Sequence, residues 1–149
     1  MNKLMHSAIN KFNNINIMCG TLALEIESGV FSKSDTALLE KRLKELVKNI
    51  DKDFEHGKNL LVEITAALKD SLNCYQENEY FLKTINSSVA LLESRYTQLK
   101  NNLADNNYDI PTNDLIISLH VIEEKGLACG IILNELKSVL IKSGKYTQK

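Results

Sequence analysis

The sequence predicts an all-α protein, an elongated antiparallel bundle of three or four helices with coiled-coil-like seams. Three observations carry this. Apolar residues recur at alternating steps of three and four along almost the whole chain, no stretch alternates with period two for long enough to make a strand, and the single proline, Pro111, lies in a polar loop. The 149 residues fit one domain, 1–149, because a chain of this length buries about 68–70% of its unfolded surface without help from metal or disulfide.

The first helix, approximately 2–28, has its seam at Met5, Ala8, Phe12, Ile15, Cys19, Leu22 and Ile26, and Gly29 is placed to close it. In GVFSKSD, Ser32 or Ser34 is expected to cap the second helix, approximately 34–56, with Asp35 in its first turn. That helix offers Leu39, Leu43, Leu46 and Ile50. DKDFEHGKN, centred on Gly57, reads as a bend, a kink or a short turn. A third segment, approximately 59–104, keeps one register from Leu61 through Leu68, Ser71, Tyr75, Asn78 and Leu82 to Leu103; unbroken, it is about 65 Å long, and it can be continuous with the second. Ser71 and Asn78 are polar residues at core-type positions, where a buried amide fixes register or the helix is wetted on both sides.

After ADNNYDIPTND the fourth helix, approximately 113–143, repeats the pattern at Leu115, Leu119, Ile122, Gly126, Cys129, Leu133, Leu136 and Leu140, with Gly144 to end it and Lys142 and Lys145 near its negative pole. Two glycines, Gly126 and Gly130, sit inside this most hydrophobic helix, and Cys19, Gly20 and Ala23 make a similar patch in the first. Small residues at these positions predict close helix–helix contact.

Composition narrows the function. Eighteen basic residues against 19 acids leave a net charge of -1, so there is no bulk attraction to nucleic acid or anionic lipid. No run reaches the roughly 18 apolar residues of a membrane span. Asparagines interrupt the N-terminal MNKLMHSAINKFNNINIMCG where a signal peptide would be apolar. Three scattered cysteines, Cys19, Cys74 and Cys129, suit a reducing compartment. The expected location is the cytoplasm.

Motifs for chemistry are sparse. Asp53 with His56, and His120 with Glu123 or Glu124, are single motifs where a di-iron bundle needs paired Glu-x-x-His; the cysteines sit on or beside seams; and no phosphate loop, zinc spacing or nucleophile elbow occurs. The chain is expected to be no enzyme and to need no cofactor.

The functional signal is excess apolar surface. Beyond its seam the last helix carries further aliphatics, and the first adds Leu4, Ile9, Ile17, Met18 and Leu24, stripes wider than one partner helix requires. Ile117, Val121, Ala128, Ile131 and Ile132 turn toward the flank of the last helix and are the candidate partner-binding residues. Such stripes fit central helices of one fold, a protein client, or self-association.

ENEYFLKTINSSVALLESRYTQLKNNLADNNYD, Glu77–Asp109, resembles the closing part of FlgN-type flagellar export chaperones, and Glu25, Glu27 and LLEKRLKELVKNID, Leu38–Asp51, are similar to that family's charged first long helix. The resemblance covers about two thirds of the chain and implies a cytosolic helical chaperone that holds secretion substrates without a cofactor. The hydrophobic helix after Pro111 departs from the pattern. The expected function is a non-catalytic protein-binding module, an export chaperone or adaptor holding a client helix; the alternative is a structural, self-assembling subunit of a larger complex. A helical cofactor enzyme is a distant third.

Overall fold

A computed structural model describes residues 2–70 and 72–142, with side chains at 70–78 excepted. It contains four helices and no strand among the described residues: α1 (Asn2–Glu27), α2 (Thr36–Asp70), α3 (Leu72–Asp105) and α4 (Thr112–Lys142). Each helix is antiparallel to the next in a ring. Glu25 meets Arg42 and Lys11 meets Asp53 between α1 and α2, Asp51 meets Lys100 and Lys58 meets Glu93 between α2 and α3, and Glu27 meets His120 between α1 and α4. The closest packing is between α1 and α4, and the loosest is between α2 and α3.

The caps follow from local chemistry. Gly29, at φ 77°, ends α1; its N–H donates to Ile26 O and that of Val30 to Glu25 O, the paired bonds of a left-handed helix stop. Asp35, and not Ser32 or Ser34, is the capping position of α2, since its carbonyl accepts from Leu39 N–H, while its carboxylate accepts from the N–H and hydroxyl of Ser32. The two bonds from Ser32, backbone first, hold that carboxyl below the usual range. At the other break, Tyr108 N–H donates to Leu103 O, and Asn107 and Tyr108 both lie in the left-handed region, at φ 54° and 64°. Tyr108 is held there by packing against the core and by Lys44 over its ring.

Two expected boundaries are corrected. The second helix does not stop at 56: α2 passes through Gly57, which lacks a side chain because a Cβ there would stand 3.1 Å from the Phe12 ring. Nor is Leu61–Leu103 one helix, because α2 ends at Asp70 and α3 begins at Leu72. The two run back along each other, so Leu61, Ile64 and Leu68 share the core with Leu82, Ile85 and Val89. Ser71, Cys74, Tyr75, Asn78, Gly144 and Lys145 lie outside the residues whose side chains are described.

The seams of α1 and α4 are buried as expected, from Met5 to Ile26 and from Leu115 to Leu140. At Gly126 the two helices meet backbone to backbone. A Cβ on it would stand 3.3 Å from the backbone nitrogen of Asn16 and 3.4 Å from the carbonyl oxygen of Phe12, so the obstacle is backbone and cannot swing aside. At Gly130 the obstacle is the Asn13 side-chain oxygen, 2.6 Å away. At Gly20 it is the Glu123 carboxylate. Gly126→Leu should therefore lower stability by about 2–3 kcal/mol or more, as overpacking against a rigid neighbour does. Gly130→Ala should cost clearly less, because Asn13 can rotate. Denaturant titration of both variants checks the order, and equal loss would mean that the two contacts are equally rigid.

Candidate partner-binding face

Helix α4 can be sorted into rows at steps of seven. Gly126, Glu123 and Gly130 face α1. The row Ile117, Glu124, Ile131, Ser138 is the outermost, and Ile117 and Ile131 are 61% and 50% exposed. Next toward α3 come Val121, Ala128 and Glu135, the first two half-buried, and then Ile132 and Val139, of which Ile132 packs against the core. The five candidate residues thus form one continuous surface, a fully exposed ridge of two isoleucines sloping into a half-buried flank.

At the C-terminal half of α4 this surface deepens into a shallow cleft of about 500 Å³ lined by Phe81, Ile131, Asn134, Glu135, Ser138 and Val139. Phe81 comes from α3, half-buried, with the exposed Tyr80 ring edge-on to it at 5.8 Å. Phe81 and Val139 were not among the candidates. The adjacent Tyr80 and Phe81 beside seam residue Leu82 are the signal that could have found them, since an aromatic next to a seam widens the apolar face of its helix.

A second groove lies where α2 and α3 pack loosely. Leu61, Val62, Thr65, Ala66, Asn86 and Val89 line about 480 Å³, rimmed by Lys58 and Lys69. The adjoining stretch is polar: Tyr96 donates its hydroxyl to Asp51 Oδ1 at 2.6 Å and to Val47 O at 2.9 Å, and Lys100 donates to both Asp51 oxygens. Burial, and then the bond to Asp51, raise the Tyr96 phenol well above its ordinary range, so this hydroxyl is a fixed donor and ties α3 to α2.

The remaining chemistry-bearing groups are structural in their surroundings. Burial pushes the thiols of Cys19 and Cys129 up to about 12, far from a nucleophile's range. His120 pairs with Glu27 at 2.6 Å and Glu123 at 3.0 Å, clipping the end of α1 to α4. Asp53 pairs with Lys11 and is not brought into a cluster with His56. Among the described residues no group of three His, Cys, Asp or Glu side chains is arranged to hold a metal ion, and no helix is long and apolar enough to cross a membrane. Set against models of protein families, curated proteins and solved structures, the chain matches none.

Two expectations follow. The hydrogen bonds to Glu123 and then Glu27 raise the His120 pKa above the ordinary imidazole value, so the protonated form is favoured by folding. Its contribution is fully present below about pH 6.5, the ordinary imidazole value, and is lost as pH rises through the raised folded value. Melting of wild type minus His120→Gln should narrow across that window, by a small amount because the group is exposed and salt-screened. A difference that is constant with pH would show that the ion pairs contribute nothing. Second, in the native state Cys19 and Cys129 should resist a thiol reagent at neutral pH and react only on unfolding; rapid native-state modification of either would show that the α1–α4 contact opens.

Proposed function

We propose that this chain is a non-catalytic, cytoplasmic helical protein-binding module, an export chaperone or adaptor that holds the amphipathic helix of a client along the outer flank of α4. The observation that carries this reading is the exposed aliphatic ridge and flank, Ile117, Val121, Ala128, Ile131 and Ile132, on a helix whose seam is already satisfied by its neighbours. A client helix would lay its apolar stripe against the ridge and reach the Phe81 cleft. Specificity would come from the polar rim, Asn134, Glu135 and Ser138.

The likeness of Glu77–Asp109 and Leu38–Asp51 to FlgN-type chaperones supports a secretion client and a holder without cofactor. It supports no residue assignment on α4, which lies beyond the resembling region.

The test is Ile131→Glu. A carboxylate placed at a docked helix must be desolvated without a partner, so client capture from the native host should be lost while helicity and melting temperature stay near wild type. A variant that unfolds as severely as Gly126→Leu would place Ile131 in the interior and end the binding-face reading. A folded variant that retains its client would move the site elsewhere.

A further inference from the structure

Of the three connections between helices, one has no residue that forces the chain to turn. Between α1 and α2 stands Gly29 in the left-handed region, and between α3 and α4 stand Asn107 and Tyr108 in the same region, followed by Pro111. Between Gly57 and Pro111 there is neither glycine nor proline, and only Ser71 separates Asp70, the last residue of α2, from Leu72, the first of α3. The seam also crosses this point in phase. Leu61, Ile64 and Leu68 of α2 are followed, at alternating steps of three and four, by Ser71, Tyr75 and Asn78 and then by Leu82, Ile85 and Val89 of α3. A hairpin does not need this, because two helices joined by a turn can meet with any phase between their stripes; one unbroken helix does. The ion pairs across the hairpin are symmetric as well: Lys58 meets Glu93 and Asp51 meets Lys100, both pairs centred between Tyr75 and Gln76.

We infer that the chain has a second folded form, a domain-swapped dimer in which α2, Ser71 and α3 run as one helix of about 105 Å. The partner is a second copy, and topology gives the reason. Two such helices laid antiparallel about the point between Tyr75 and Gln76 bring Lys58 of each copy to Glu93 of the other, and Asp51 to Lys100, the pairs that the hairpin makes within one chain. Each half of the dimer is then a complete bundle, α1 and α2 of one copy with α3 and α4 of the other. The closest helix packing, α1 on α4 at Gly126, re-forms between copies unchanged. No apolar face changes its neighbour. What differs is the junction. Two separate helices leave the last carbonyls of one and the first N–H groups of the next outside any helix ladder, whereas a continuous helix bonds them to one another. Against this stands the loss of freedom on joining two chains, which concentration offsets. The client flank of α4 stays on the outside in both forms.

Refolding of the full chain from denaturant, followed by size-exclusion chromatography with light scattering, tests this without any client. Exchange of halves requires unfolding, so the wild type refolded at about 100 µM should give a dimer that persists on dilution, and at about 1 µM a monomer. Leu72→Pro should reduce the dimer fraction at least about tenfold with helical circular dichroism and melting temperature near those of the wild-type monomer, since proline is accepted at the first position of α3 but breaks a helix that continues through it. Ser71→Ala should raise the dimer fraction at least about threefold, because it exchanges a residue suited to a cap for the best helix former. A wild type that is monomeric after refolding at both concentrations overturns the proposal, and so does a dimer that dissociates at once on dilution. A Leu72→Pro chain that folds and dimerises as the wild type does, or a Ser71→Ala chain whose dimer fraction is unchanged, overturns it equally.

Discussion

The close approach of α1 and α4 is the constraint on which the rest of the bundle depends. Gly126 lets the backbone of Asn16 and Phe12 come within what would be tight contact of a Cβ, and Cys19, Ala23 and Cys129 keep the adjoining positions small and buried. Glycine inside a helix costs roughly 1 kcal/mol relative to alanine. The offset is the larger number of dispersion contacts that two helices make when their axes draw together. With these two helices locked, Phe12 projects toward α2, where Gly57 again removes a side chain to admit its ring and Phe54 meets it edge-on at 6.3 Å. Gly126 and Gly57 thus act at one continuous contact that runs from α4 through α1 to α2.

The other half of the ring is held differently. Between α2 and α3 the contact is looser, and polar straps supplement it: the Tyr96–Asp51–Lys100 network and the Lys58–Glu93 pair. Exposed ion pairs of this kind contribute about 0–1 kcal/mol each, so they set register more than stability. The Tyr96 hydroxyl is the exception, because it is largely buried and its one proton has two acceptors in reach, Asp51 Oδ1 and Val47 O, so that losing them would leave a buried donor unpaired. Ion pairs cross the α1 contacts as well, at Glu25–Arg42, Lys11–Asp53 and Glu27–His120, so the two halves are divided by how closely their helices pack and not by which of them carries charge.

That division explains what could be read without the structure. The seams were legible because burial on one helical face imposes a spacing that no other constraint imitates; every apolar seam position named for α1 and α4 is buried. The reversal of direction from α2 to α3 was not. Leu68 and Leu82 are two heptads apart, so a continuous helix and a hairpin share one register. Gly57 was ambiguous for a related reason: glycine serves both as a helix stop and as a site of close approach, and only the position of the Phe12 ring distinguishes them. The five flank residues of α4 were proposed from the width of its apolar stripe, and two of them, Ile117 and Ile131, are exposed. Phe81 was missed because it reaches that surface from α3, a tertiary neighbour that no local pattern specifies.

The two acids on the outer face of α4 bear on how selective that face can be. Glu124 lies between Ile117 and Ile131 in the outermost row, interrupting an aliphatic strip about four turns long, and Glu135 ends the next row after Val121 and Ala128. Both are exposed, and neither makes an ion pair within 4.0 Å among the described residues. An apolar helix arriving without a base would have to strip water from both carboxylates and gain nothing for it, which opposes indiscriminate association. A helix carrying basic residues about 11 positions apart meets both, and the unfavourable term becomes a favourable one. On the proposed reading, the isoleucines of α4 would supply a general attraction for apolar helices, and the two glutamates would restrict it to those whose flanks match.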